Sequence, residues 1–396
     1  MQDRIYDEIM ALARYHGGPC LSVFLPALPR GSDRPRSARF ERLLEAGARQ
    51  LLASGHDQTM VAATLASLRG QAADQGFGMS PQPALALFAA PDVLRTYRLP
   101  YGVAELTVAG RRFYLKPLFP LLSYSTPFYV LALSKNRVRL LRATCDDVEP
   151  LELAGAPASL ADTLKYDDFA PQHQVHPGKT SRGVGDGAVF YGHGAIADTA
   201  KEELRRYCQQ VDRAVCEALP HGEALLVLAG VRYLLALYRA ASRYPAIATD
   251  AVVGSPDRLS DEALRARAWA LVRSVLDRRQ VAAVAHYDGL AASHPQDATS
   301  YLRTIVPAAR DGRVEMLLVS GDEQQWGTYD EATGALELHS SAKAGDEDLL
   351  DVAAVQTFLH GGDVYVVPAG QMPGGALCAA TLRQWTVTRV QGSQPA

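Results

Sequence analysis

Six apolar side chains in succession, Phe128-Tyr129-Val130-Leu131-Ala132-Leu133, leave no face for water. A run this short, bounded by Pro127 and Ser134, reads as a strand covered on both sides. Comparable runs occur at residues 20–25, 84–89, 224–229, 314–320 and 363–367. Between them apolar residues recur at helical spacing, as in Phe40, Leu43, Leu44, Ala48 and Leu51. Strands of this kind need helices packed over them, so the expected fold class is α/β.

The length of 396 residues accommodates two or three domains of about 100–200 residues each. The order of elements divides the chain into an N-terminal α/β domain over 1–124, a middle domain over 125–255 and a C-terminal α/β sandwich over 256–390. The first has a helix at 3–15, stopped by Gly17-Gly18-Pro19, and helices at 38–54 and 57–72. Its strands are expected at 20–25, 84–89, 93–99, 103–108 and 111–115. The third has helices at 260–286, 297–309 and 346–359, with strands at 314–320, 326–330, 335–339 and 363–367. Residues 391–396 have the composition of a frayed tail.

The middle domain opens with a meander at 128–133, 138–143 and 148–153. Its pattern then breaks: residues 157–197 carry much Gly and His and no apolar stripe. So long a loop in a compact domain is usually functional or disordered. Helix resumes at Thr199, where Thr199 and Glu202 have capping-box spacing. Leu204, Tyr207, Cys208, Val211, Val215 and Leu219 then form one apolar face. A strand at 224–229, a helix at 231–241 and a strand at 247–253 follow. Three strands, a helix, then strand–helix–strand resembles an RNase-H-like layout.

Charge narrows the partners. The formal net charge is −3, whereas a DNA-coating protein is normally basic because its affinity comes from neutralising phosphates. Contact with nucleic acid must come from local patches, and DNA is not an expected partner. No apolar run reaches the roughly 18–20 residues of a membrane helix, and the first residues lack the basic-then-apolar pattern of a secretory signal. The five cysteines include no CxxC pair, which argues for reduced thiols in a cytoplasmic protein rather than a disulfide framework or a cysteine zinc site.

Candidate chemistry gathers in the 157–197 stretch. Gly178-Lys179-Thr180 has a Walker-like ending, but position 173 is His where the second Gly belongs, and no strand or helix is expected to flank it. Lys179 therefore reads as a loop lysine. His173, His176 and His193 could hold a zinc ion, although HxxH here is not on an expected helix. Gly183-Val184-Gly185-Asp186-Gly187 and Gly192-His193-Gly194 permit positive φ and can present amides to phosphate; a plain loop fits them as well. An RNase-H-type nuclease needs clustered carboxylates for two metals, and the 128–133 strand carries none. No cofactor is expected. Arg30, Arg34, Arg36, Arg39, Arg42 and Arg49 form a local positive excess, read either as an RNA-facing patch or as a solvated helix face.

Several segments resemble one family when taken in order. Phe113-Tyr114-Leu115-Lys116-Pro117-Leu118, Tyr129-Val130-Leu131-Ala132-Leu133-Ser134, and Gly192-His193-Gly194 leading into Glu202-Glu203-Leu204-Arg205-Arg206 are similar to the bacterial archaeo-eukaryotic release-factor-like family. Gly374-Gly375-Ala376-Leu377 through Leu382-Arg383 resembles the end of that family's third domain. The resemblance implies an RNase-H-like middle domain and a C-terminal domain like kink-turn RNA-binding proteins. It implies a ribosome- or tRNA-associated factor in rescue or termination, with Lys179, Arg182, Gly192, His193 and Gly194 facing RNA. True release factors carry Gly-Gly-Gln in the middle-domain loop. Here the Gly-Gly pairs are followed by Pro19, Asp363 and Ala376, so the hydrolytic role does not transfer. A variant peptidyl-tRNA hydrolase with His193 as base, and a protein-interaction module on the same fold, stay open as alternatives. The sequence leaves the oligomeric state undetermined.

Overall fold

The computed structural model describes residues 2–16, 18–27, 36–74, 84–167, 193–219, 224–330 and 333–383. Their contacts form two compact units: Met1–Ser125 together with Leu276–Ala396, and Thr126–Val275.

The first unit begins with α1 (Gln2–Ala13), β1 (Cys20–Leu25), α2 (Arg36–Ala53), α3 (Gln58–Asp74), β2 (Ala84–Ala90), β3 (Val93–Leu99) and β4 (Leu106–Gly110). The strands form an antiparallel sheet in the order β3-β2-β1-β4. Strand periodicity sorts its two faces. Leu21, Val23, Leu25, Leu85 and Leu87 pack with Phe40, Leu44, Val61 and Leu68 of α2 and α3. Cys20, Phe24, Ala86 and Phe88 turn to the opposite core with Ile9 and Leu12 of α1. Gly47 of α2 sits so close to the sheet that a Cβ would lie 2.5 Å from Leu21 Cδ1.

Residues 111–115, expected as a strand, form none. Their amides go elsewhere: Tyr114 N donates to Ser22 Oγ at 3.0 Å, and Leu115 N to Asp351 Oδ1 at 2.8 Å. Pro117 and Pro120 then seed a 3-10 turn at Lys116–Leu118 and the short α4 (Phe119–Tyr124).

The second unit contains β5 (Phe128–Leu133), β6 (Val138–Ala143), β7 (Val148–Leu151), α5 (Leu160–Asp167), α6 (His193–Ala218), β8 (Leu226–Gly230), α7 (Arg232–Ala241), β9 (Ile247–Val253) and the start of α8 (Asp261–Ser293). Its sheet runs β7-β6-β5-β8-β9. β5, β6 and β7 pair antiparallel, while β8 lies parallel to both β5 and β9. Leu204, Tyr207, Val211 and Val215 of α6 bury against Leu131, Leu133, Leu226 and Leu228, as the apolar spacing predicts. Trp269 of α8 stacks on Phe128 with ring centroids 6.0 Å apart.

Two sequence expectations are corrected here. The 157–197 stretch is not wholly irregular, because it holds α5 and the first turn of α6. Ser159 supplies the start of α5: its Oγ accepts from Asp162 N at 3.3 Å and donates to Asp162 Oδ2 at 2.9 Å. Thr199 lies inside α6, whose first residue is His193, so Thr199 and Glu202 do not cap the helix.

The first unit is completed by the remainder of α8, β10 (Ala298–Thr299), α9 (Leu302–Arg310), β11 (Val314–Ser320), β12 (Trp326–Tyr329), β13 (Leu336–Leu338), β14 (Glu347–Asp348), α10 (Leu349–Leu359), β15 (Asp363–Val367) and β16 (Cys378–Leu382). The mixed sheet β10-β16-β11-β15 has α9 and α10 on one face, through Ile305, Leu317 and Ala353. Ala283 and Tyr287 of α8 pack on the other, against Met316 and Leu318. One core joins this sheet to the N-terminal one: the Phe358 ring lies 5.1 Å from Tyr6 and 5.4 Å from Phe119, centroid to centroid. All five cysteines are free thiols. Among the described residues, no helix is long and apolar enough to cross a membrane.

Candidate functional site

Three parallel strands of the second unit end side by side. Leu133 of β5 pairs with Gly230 of β8, and Gly230 pairs with Val253 of β9. In open α/β sheets ligands collect outside the carboxyl ends of the strands. The chain leaves this edge by three tight connections. Ser134-Lys135-Asn136-Arg137 is closed by Ser134 N donating to Arg137 O at 3.0 Å, and by the Asn136 and Arg137 amides donating to Ser134 Oγ at 3.1 and 3.0 Å. β8 enters α7 through Gly230, where a Cβ would stand 2.6 Å from Leu133 O. β9 runs into Gly254, at φ +133°, whose amide donates to Gly230 O at 3.0 Å.

Both elements that flank residues 168–192 are fastened to the first of these turns. Leu160 N, at the start of α5, donates to Lys135 O at 2.8 Å. Tyr207 of α6 donates its hydroxyl to Ser134 O at 2.6 Å. Burial pushes the Tyr207 phenol well above its ordinary range, so it stays a donor. Thr163 Oγ1 donates to Gln210 Oε1 at 3.3 Å and ties α5 to α6. Cys208, next to Tyr207, is buried and its thiol is pushed up to about 12 by desolvation; it packs as a small apolar group. His193 opens α6 about three turns ahead of Leu204, the first buried side chain among residues 200–219.

The same edge is rich in cations. Lys135, Arg137, Lys201, Arg205, Arg206, Arg232 and Arg258 are exposed; the exposed carboxylates on these connections are Glu152, Glu202, Asp257 and Glu262. Some of the acids are already engaged. Asn136 Nδ2 donates to Asp257 Oδ2 at 3.1 Å. Backbone hydrogen bonding and Ser260 hold Glu262 below its ordinary range. Arg139 holds the connection that follows β9, donating to Pro256 O at 2.7 Å, Leu259 O at 3.1 Å and Asp261 Oδ1 at 2.6 Å. A net positive rim attracts polyanions, and the buried Tyr207 and Thr163 contacts hold α5 and α6 beside it.

Lys179, Arg182, Gly192, His173 and His176 lie outside the described residues, as do Gly183, Gly185 and Gly187. His193 and Gly194 are the first two residues of α6, and their side chains also lie outside the described set. No group of three or more His, Cys, Asp or Glu that could hold a metal ion occurs among the described residues. The N-terminal arginine cluster is largely committed within the first unit. Arg39 and Arg42 share Glu105 at 2.7 and 2.6 Å, and Arg36 is buried. A cleft of about 600 Å³ in that unit sets Arg111 and Arg112 against Asp330 and Glu347, a balance of charge that favours no anion. Sequence reasoning did not single out Lys135, Arg232 or Tyr233. Their signal was positional, since each follows the end of a strand that proves to be parallel.

No curated protein matches the chain. Among solved structures, the archaeal translation termination factor aRF1 is similar at 14% identity, covering 97% of this chain and 98% of that one with a TM-score of 0.23. An archaeal Pelota in a ribosome-bound assembly with ABCE1 is similar at 11% identity, covering 97% and 94% with a TM-score of 0.36. Dom34 of S. cerevisiae, a translation termination-like factor, is similar at 8% identity, covering 73% and 72% with a TM-score of 0.35. Residues 128–274 match the model of the bacterial archaeo-eukaryotic release factor family 7. That match coincides with the second compact unit, Thr126–Val275, and it is this part of the chain that is similar to the bacterial archaeo-eukaryotic release factor family.

Proposed function

We propose that this protein is a ribosome- or tRNA-associated factor that works in rescue or termination without a Gly-Gly-Gln tripeptide. The observation that carries the reading is the cationic edge of the second sheet. The β5–β6 turn there clamps both elements flanking residues 168–192 and is surrounded by exposed Lys and Arg side chains. Phosphate-rich RNA suits such a rim, and local charge suffices although the chain as a whole is acidic. Lys179, Arg182 and His193 belong to the same functional segment and would add contacts to the RNA backbone.

The strand order β7-β6-β5-β8-β9, with only β6 reversed, supports reading the middle domain as RNase-H-like. The divisions at 1–124, 125–255 and 256–390 are kept as the proposed modules of the chain, and the cytoplasm as its compartment. The similarity of residues 128–274 to a release-factor family supports translation over other RNA processes.

Co-sedimentation with ribosomes at several salt concentrations tests the proposal. The protein should pellet at low salt and be released as salt rises. Full recovery in the supernatant at low salt would overturn it.

A further inference from the structure

We propose that Tyr233 and Lys135 form a stacking platform for an unpaired nucleotide of single-stranded RNA. The inference deepens the RNA-facing reading above and rests on it. Tyr233 stands in the first turn of α7 with half its surface exposed, 50%. Lys135 reaches it from the neighbouring strand end, with Nζ 5.7 Å from the ring centroid. Parallel pairing of β5 with β8 creates this meeting, since it sets Leu133 beside Gly230.

Three further features suit a nucleotide. Val231, the residue before α7, makes no side-chain cap. The first bonds inside the helix are made by the amides of Leu234 and Leu235 to Val231 O at 3.0 and 3.1 Å. The Arg232 and Tyr233 amides therefore face the same edge as the Tyr233 ring, where a helix start favours negative charge. Arg232 itself is exposed. Val253, 51% exposed, ends the adjacent strand, paired with Gly230.

An exposed aromatic ring flanked by an ammonium, a guanidinium and free-standing amides matches the parts of a nucleotide. The base offers its π-face to the ring and its phosphate goes to the cations. Duplex RNA keeps its base faces stacked inside, so the ligand is single-stranded. A protein partner would be better served by an anchor in an apolar, fully desolvated setting. Here Lys135 lies over the ring, and the adjacent residue Arg232 is exposed.

The test uses the full chain and a fluorescently labelled 12-nucleotide oligouridylate at low salt, with ribosome co-sedimentation in parallel. Tyr233→Ala should weaken oligouridylate binding about ten-fold, and Tyr233→Phe should hold it within about two-fold of wild type. Lys135→Ala should weaken binding and lower the salt slope by about 0.7. Unchanged melting temperatures would show that these exposed substitutions leave the fold intact. Equal binding by Tyr233→Ala and wild type, failure of Phe to rescue, or no oligouridylate binding by wild type each overturns the platform. Wild type that pellets with ribosomes yet ignores the oligouridylate removes the platform and leaves the ribosome reading standing. Tyr233-dependent oligouridylate binding without ribosome pelleting does the reverse. Loss of pelleting in Tyr233→Ala with no oligouridylate binding at all would assign the ring to a protein contact and overturn the RNA platform.

Discussion

Lys116 Nζ lies 2.9 Å from Asp348 Oδ2, and neither side chain has any exposure to solvent. The ammonium also donates to Glu323 O at 2.5 Å. Asp348 Oδ1 accepts from Gln325 N at 2.9 Å and from Leu350 N at 3.1 Å. Asp351, one helical turn on, takes the Leu115 and Lys116 amides at 2.8 and 2.5 Å. The cluster thus fixes the turn after β4 onto the start of α10, inside the core that the N-terminal and C-terminal portions of the first unit share. Replacing Lys116 by Met keeps the volume and leaves the buried Asp348 carboxylate without its cation. Breaking a buried pair this way costs about 3–5 kcal/mol. Urea denaturation should show the midpoint falling accordingly, while the second unit's transition, if resolved, stays put.

Asp351 sets a pH dependence. Burial, reinforced by the Asp348 carboxylate, pushes its carboxyl from 3.8 up to about 8, against the pull of the two amides and Lys116. The folded state therefore binds this proton more tightly than the unfolded chain does. Its contribution is complete below about pH 4 and is lost as pH rises to about 8, because stability falls wherever the native state holds the extra proton. Asp351→Asn removes the titration and keeps the shape. Between pH 5 and 8 the wild-type melting temperature should fall by roughly 5–10 °C more than that of the Asn variant. Parallel curves for the two proteins would show that Asp351 does not titrate in this window.

In the second unit, Asp212 of α6 plays a comparable part at the opposite end of the helix from His193. Its Oδ1 accepts from Tyr238 Oη at 3.2 Å and Ser242 Oγ at 2.5 Å, and its Oδ2 from Arg243 N at 2.9 Å. It thereby holds the C-terminal end of α7. Asp212→Ala strands three donors in a buried place and should cost about 2–4 kcal/mol. Tyr238→Phe strands none and should cost about 1 kcal/mol. Thermal melts of the two variants give the comparison, and equal losses would mean that the carboxylate acts through the tyrosine alone.

The sequence was most legible where burial alone decides structure. Cys20–Leu25 and Phe128–Leu133 form strands where their apolar runs begin and end. The apolar stripe of α6 likewise names its own core residues. Legibility failed where a distant partner decides. Arg111 to Leu115 has the composition of a strand, yet its amides are claimed by Ser22 and Asp351, which no local pattern announces. α5 is short and half-buried, and only Ser159-x-x-Asp162 marked it. The site followed the same division. The 157–197 stretch was visible as an interruption of periodicity. Lys135 and Tyr233 become neighbours only through the parallel pairing of β5 with β8, so no spacing in the chain brings them together.

The cationic edge yields the prediction that bears most directly on function. Each phosphate neutralised by a Lys or Arg releases counterions, so the logarithm of affinity falls with the logarithm of salt in proportion to the number of such contacts. Lys135 and Arg232 are exposed and stand on adjacent strand ends. Replacing both with Ala removes two cations from the rim without opening the core. Ribosome co-sedimentation of this variant should show a slope shallower by about 1.5 and weaker binding at low salt. The same pair of changes at Arg39 and Arg42, which already spend their charge on Glu105, should leave the slope unchanged. If the two double variants behave alike, the contact with the ribosome does not run through the edge of the second sheet.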